Sequence, residues 1–184
     1  MAARLTELQP EHAGALRDFR LANREFLRPW EPVRDEGYYT LEAAAAAIDA
    51  QQADRAADRG YAFGILEGGA LVGYVNLNAV VRGVFQNAYL GYAVAEAANG
   101  RGVATEAVRE ATRIAFEELG LHRVQAAVMP RNAGSIRVLE KTGFRREGYA
   151  QGYLLISGTW EDHILFARTS DAGRDSERRP RSPR

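Results

Sequence analysis

The stretch Asn99-Gly100-Arg101-Gly102-Val103-Ala104-Thr105 decides how this chain is read. It follows a run of strand character, Ala88 to Val94. It opens an amphipathic helix predicted over Thr105 to Leu119, where Ala107, Val108, Ala111, Ile114, Ala115 and Leu119 recur near helical spacing. Glycines let backbone N–H groups converge, and a helix N-terminus adds partial positive charge, so the turn suits a phosphate or pyrophosphate. Arg101 can add a charge-assisted contact, and Thr105 can cap the helix or touch a phosphate oxygen. The third glycine of a dinucleotide-binding turn is missing, and so is the Gly-Lys-Ser/Thr of a Walker loop. A plain strand-to-helix turn is the competing reading.

Working outward, Met1 to Glu7 reads as a short strand and Pro10 to about Arg24 as a helix. Pro29 and Pro32 bracket Trp30 and Glu31 in a loop or helix break. Thr40 caps a second helix running to about Arg59. Tyr61 to Leu66 and Leu71 to Leu77 read as a hairpin around Glu67-Gly68-Gly69-Ala70. After the central helix come a strand, Arg123 to Met129, and a short helix, Asn132 to Thr142. Two final strands follow, Phe144 to Ala150 and Trp160 to Ala167. The pattern predicts an α/β domain over residues 1–168 with a mixed sheet and helices between some strands. Residues 169–184 are rich in Ser, Asp, Arg, Pro and Gly and read as a disordered basic tail.

The 184-residue chain is long enough to bury a real core in one domain. Its formal net charge is zero, which gives no steering field toward nucleic acid or membrane. With no cysteine it has no disulfide scaffold, no thiol nucleophile and no Cys-ligated zinc, and no metal is expected. No apolar run is long enough to span a bilayer and the N-terminus lacks a signal-peptide core, so the expectation is cytoplasmic.

Two segments resemble the GNAT superfamily of acetyltransferases. The turn is similar to its pyrophosphate signature Gln/Arg-x-x-Gly-x-Gly/Ala, with Gly102 and Ala104 at the last two marked positions and Asn99 in place of Gln or Arg. Asn132 to Phe144 resembles the segment Asn-x-x-Ser/Ala…Leu-Tyr-x-x-x-Gly-Phe, with Leu139 where many members carry a tyrosine acid. Leu27 to Glu36, Val80 to Gly83, Tyr89 to Tyr92, Gly148 to Ala150 and Tyr153 to His163 are similar to the ribosomal-protein-alanine N-acetyltransferases (the RimJ/RimL group). The resemblance spans roughly residues 5 to 167.

The resemblance implies the GNAT fold, a central mixed, mostly antiparallel sheet of about six or seven strands flanked by helices. It implies acetyl-CoA as cosubstrate, held by Ala93, Val94, Asn99, Gly100, Arg101, Gly102, Val103, Ala104, Thr105, Asn132 and Ser135. Direct attack by an amine needs no covalent enzyme intermediate. Ser135 is expected to protonate the leaving thiolate. Glu31 is preferred as base over Asp162 and His163, because its loop borders the acceptor groove. Trp30, Glu31, Arg34, Tyr89 and Tyr153 are expected to line that groove. The implied acceptor is the N-terminal alanine α-amine of a ribosomal protein. The alternatives are a small amine or a non-catalytic, ribosome-associated CoA-binding role. The chain is expected to be a monomer or homodimer.

Overall fold

The structure, a computed structural model, describes residues 4–170. Among them run β1 (Arg4–Thr6), α1 (Ala13–Ala22), α2 (Arg24–Leu27), α3 (Leu41–Ala56), β2 (Tyr61–Glu67), β3 (Ala70–Val81) and β4 (Asn87–Val94). Then come α4 (Val103–Arg113), β5 (Arg123–Val128), α5 (Ala133–Lys141), β6 (Arg145–Ile156) and β7 (Thr159–Thr169). The seven strands form one sheet in the order β1-β2-β3-β4-β5-β7-β6. Every neighbouring pair is antiparallel except β4 and β5, which are parallel. This is the mixed sheet that the pattern predicted, and the mostly antiparallel one that the resemblance implied.

The alternation of the strands decides what covers each face. Phe63, Val75, Leu77, Ala88, Leu90, Val124 and Ala126 point to one side and bury against Val108, Ala111 and Ala115 of α4 and Leu139 of α5. On the other side α1 and α3 close a smaller cluster of Leu8, Ala13, Leu16, Ala44 and Ile48. The α3 start is set by Thr40, whose Oγ1 accepts from Ala43 N–H at 3.1 Å. At Gly73 a Cβ would lie 2.4 Å from the Ala93 carbonyl oxygen, so only glycine lets β3 approach the end of β4 this closely.

Several elements differ from their predicted extents, and four of them for a visible reason. The Phe26 to Asp35 segment is a loop only from Glu31, because α2 and a 3₁₀ turn (Arg28–Trp30) carry the helical chain through Pro29. The predicted helix to Leu119 is α-helical to Arg113 and continues as a π-helical turn, Ile114–Glu118, which keeps Ile114 and Ala115 both buried. β6 continues six residues past Ala150, as a ribbon with β7 whose Tyr149, Leu154, Leu155 and Trp160 are exposed. Thr169 still pairs with Arg123 in β7, so regular structure continues past residue 168. The tail expected beyond it lies outside the described residues from 171 on.

Candidate active site

The parallel pair at the sheet's centre is short. β4 and β5 share only Asn87↔Arg123, Ala88↔Val124 and Tyr89↔Gln125, and beyond that point they diverge. Ala95 N–H donates to Val72 of β3 at 2.7 Å. Because N–H groups alternate along a strand, those of Val94 and Tyr92 turn the other way, into the gap. A cleft of about 550 Å³ occupies this opening. Phe26, Leu27, Trp30 and Glu31 wall it on one side, and Tyr92, Ala93 and Val94 form its floor. The turn and the first residues of α4 and α5 wall it on the other.

The turn is shaped by conformation rather than by side chains. Gly100 and Gly102 have φ of 74° and 85°, in the left-handed region. Gly102 is the N-cap of α4 and no side chain caps that helix end, so its first N–H groups face the cleft without a side-chain acceptor. Asn99 instead donates from Nδ2 to the Ala95 carbonyl at 3.1 Å, closing the preceding 3₁₀ turn. The Arg101 guanidinium is paired with Glu67 and does not line the cleft. Arg137 and Lys141, which the sequence reading passed over, add two cations along α5.

Asn132 caps α5, its Oδ1 accepting from Ser135 N–H at 3.0 Å. That bond fixes the first turn and holds Ser135 at the cleft. The Ser135 Oγ lies 2.8 Å from the Tyr92 hydroxyl, which is also within 3.2 Å of the Ser135 carbonyl oxygen. Burial pushes the Tyr92 phenol up to about 12, with the Ser135 hydrogen bond opposing in part, so Tyr92 holds its proton at neutral pH. A signal for Tyr92 was present in the sequence: it sits two residues before Val94, on the same face of the strand as Ala88 and Leu90.

Glu31 lies across the cleft. Its Oε1 accepts from the Tyr74 hydroxyl at 2.8 Å, and its Oε2 is 3.9 Å from Arg34 Nε. Burial, then the Glu31 charge, drives the Tyr74 phenol well above its ordinary range. The loop is pinned from two sides. Ser157 N–H in the β6–β7 turn donates to the Glu31 carbonyl at 2.9 Å. Arg131 lies 5.6 Å over the Trp30 ring and pairs with Glu161 of β7 at 2.6 Å.

Other predicted residues lie elsewhere. Asp162 accepts from Tyr149 and from Gly152 N–H in the ribbon, and His163 is buried with Nδ1 3.0 Å from the Glu161 carbonyl oxygen. Neither reaches the cleft, so of the three groups weighed as base only Glu31 does. Tyr153 packs beside His163, and Tyr89 is exposed on β4 between Asn78 and Gln125; neither lines the cleft. Arg34 lines a side chamber that opens off it. Among the described residues no cluster of His, Asp and Glu is suited to a metal, and no helix is long and apolar enough to cross a membrane.

Comparison with known proteins bears on the family and the fold. The family model described as the GNAT acetyltransferase domain matches residues 3–145. A probable N-acetyltransferase of Bacillus subtilis, YjcK, is 45% identical over 147 residues, covering 79% of this chain and 81% of that protein. The ribosomal protein uS5-alanine N-acetyltransferase of Escherichia coli is 38% identical over 160 residues, covering 86% and 82%. Among solved structures, RimJ of Mycobacterium smegmatis in complex with CoA-disulfide superposes with a TM-score of 0.89 at 32% identity, covering 93% of this chain and 83% of that one.

Proposed function

The chain belongs to the GNAT acetyltransferases, and from that premise we propose that it transfers the acetyl group of acetyl-CoA to the α-amine of a protein N-terminus beginning with alanine, a ribosomal protein being the acceptor class. The observation that carries this is the convergence, in one cleft, of the uncapped α4 N-terminus, the unpaired β4 edge and the Ser135–Tyr92 hydroxyl pair, with Glu31 opposite.

The residues fit the cosubstrate. Gly100 and Gly102 leave space where a side chain would stand, with nothing within 4 Å of an added Cβ. The N–H groups of Val103, Ala104 and Thr105 offer donors and the positive helix end to a pyrophosphate. Arg137 and Lys141 supply charge, and Asn132 offers its amide to the pantetheine arm. Acetyl-CoA supplies an activated thioester.

The chain's own residues then have three tasks. The Val94 N–H, turned into the gap, is a preorganised donor for the thioester carbonyl, a device that typically lowers a barrier by ~3 kcal/mol. Ser135 Oγ delivers a proton to the leaving sulfur and regains one from the nitrogen of the collapsing adduct, while Tyr92, protonated throughout the working pH range, hydrogen-bonds that oxygen and holds it in place. Glu31 attracts the incoming ammonium and accepts its proton. An α-amine has an ordinary pKa of about 8 and a lysine amine about 10.4, so one carboxylate at the cleft suits the α-amine better.

The test is acetyl-CoA consumption with an alanine-initiated peptide, beside a lysine-only peptide with a blocked N-terminus and a panel of small amines. Acetylation confined to the alanine α-amine is expected. Transfer to small amines alone would overturn the acceptor assignment.

A further inference from the structure

A side chamber opens off the cleft and shares Leu27, Glu31 and Tyr74 with it; its volume is about 130 Å³. Four arginines line it, Arg20, Arg24, Arg28 and Arg34, against only two carboxylates, Glu25 and Glu31. Three of the cations have partners: Arg24 pairs with Glu36, Arg28 with Glu25 at 3.4 Å, and Arg34 with Glu31 at 3.9 Å. Arg20 is different. It is buried, and among the described residues no carboxylate lies within ion-pair reach of it. Its Nη1 donates to the Tyr38 carbonyl at 3.1 Å, and its guanidinium lies 4.1 Å over the Tyr38 ring.

Arg34 lies 4.4 Å over the same ring. Two guanidinium groups are therefore gathered at one aromatic ring, one of them buried without a counter-anion and the other sharing a carboxylate that Tyr74 already engages. A buried cation without an anion keeps a large desolvation cost that one carbonyl and one ring face do not offset. The missing partner is an anion.

We propose that this chamber is a carboxylate subsite of the acceptor. Resting on the reading of Glu31 as the group that meets the amine, it receives an anionic group carried a few bonds away, gripped by Arg20 and Arg34. Guanidinium forks suit a planar carboxylate, and the chamber has room for that group and a short stem. The carboxylate has two possible sources: an Asp or Glu side chain close behind the amino-terminal residue, or the free α-carboxylate of a very short acceptor.

The experiment is steady-state kinetics on the full chain with matched acceptors. Alanine-initiated peptides carrying Glu or Gln, and Asp or Asn, at the second or third place test the first source. Alanyl-alanine beside its C-terminal amide tests the second. The acid member of at least one pair is expected to have a KM lower by about tenfold, the size of one charge-assisted contact. R20Q should bring that acid-to-amide ratio close to one, and R20K should keep part of it. Damage to the fold alone raises KM for both members and leaves the ratio where it was.

A ratio of one in every wild-type pair overturns the subsite while leaving N-terminal acetylation standing. If no alanine acceptor is used but other amines are, the N-terminal reading falls. The same acid-against-amide comparison on that amine class then decides the subsite.

Discussion

The wall of the cleft at the start of α4 is made of main chain, whereas the wall around Glu31 is made of side chains from α1, α2, β3 and two loops. On the first wall Asn99 and Arg101 turn their side chains to Ala95 and Glu67, and Gly100, Gly102 and the first turn of α4 line the opening. On the second, Glu31 is set by the Tyr74 hydroxyl, the Ser157 amide and Arg34, from parts of the chain far apart in sequence. A wall of backbone holds any molecule with the right phosphates and tolerates sequence change. A wall of side chains can be retuned one residue at a time, which suits the half that chooses the acceptor.

Ser135 lines the cleft beside Tyr92, and its loss is the largest effect expected. Ser135→Ala should lower kcat by about a hundredfold, the lower end of what a positioned proton donor contributes, with little change in KM for acetyl-CoA. Tyr92→Phe should cost less, and the double variant should be no worse than Ser135→Ala alone, because the two hydroxyls form one chain. Unchanged turnover in Ser135→Ala would remove the acid assignment.

The backbone wall is probed by conformation. Gly102→Val forces a β-branched residue to a φ of 85°, and such strain is of order 1–3 kcal/mol. Acetyl-CoA affinity, read by titration calorimetry, should fall by about tenfold or more as the helix end shifts. Unaltered affinity would move the phosphate-holding role elsewhere. The side-chain wall should respond in the opposite sense. Glu31→Gln keeps the shape and an oxygen for Tyr74, and should reduce kcat/KM for the peptide by about tenfold while acetyl-CoA affinity stays within about twofold. A change in acetyl-CoA affinity as large as that in kcat/KM would erase the distinction between the walls.

The cleft also buries two tyrosines, Tyr92 in its floor and Tyr74 beside Glu31, and both phenols are raised above their ordinary value of 10, Tyr92 to about 12. The folded state therefore holds these protons more tightly than the unfolded chain. The Tyr92 contribution is full below about pH 10 and is lost as pH climbs toward 12. Urea unfolding between about pH 10 and 12 should show falling stability, with a shallower fall in Tyr92→Phe. An identical slope in that variant would show that Tyr92 is not as deeply desolvated as its surroundings imply.

The same contrast explains what the sequence disclosed. The turn, the α4 helix and the Asn132 cap depend on neighbours within a few residues, so glycine chemistry, helical spacing and capping were enough to find them. The strands under the helices also read cleanly, because their faces alternate between apolar and polar. The β6–β7 ribbon did not read cleanly. With both faces exposed around Tyr149, Leu154 and Trp160 it carries no apolar alternation, and its length emerged only from pairing. Tyr153 and Tyr89 were assigned to the groove from resemblance, and their neighbours in space take them elsewhere. Tyr74 and Arg20 carry no local signal at all. Each becomes part of the site only when α1, β3 and the Glu31 loop fold together.

The smallest effect is expected at Arg101, the residue whose sequence position most invites a phosphate contact. Its guanidinium is paired with Glu67 and its Nη1 also reaches the Ala97 carbonyl at 3.4 Å. Turning it into the cleft would require giving up that pairing, although a half-exposed ion pair is worth only about 0–1 kcal/mol and holds the side chain weakly. Two forces thus compete, a modest existing pair and a phosphate that would attract any nearby cation. If main-chain donors dominate, Arg101→Ala should leave acetyl-CoA affinity within about twofold at 0.15 M salt, where screening limits what a distant charge adds. Glu67→Gln, which frees the arginine, should then tighten binding slightly, and only at low salt. A loss near tenfold in Arg101→Ala would mean that the arginine leaves Glu67 when phosphate arrives. The first wall would then depend on a side chain after all.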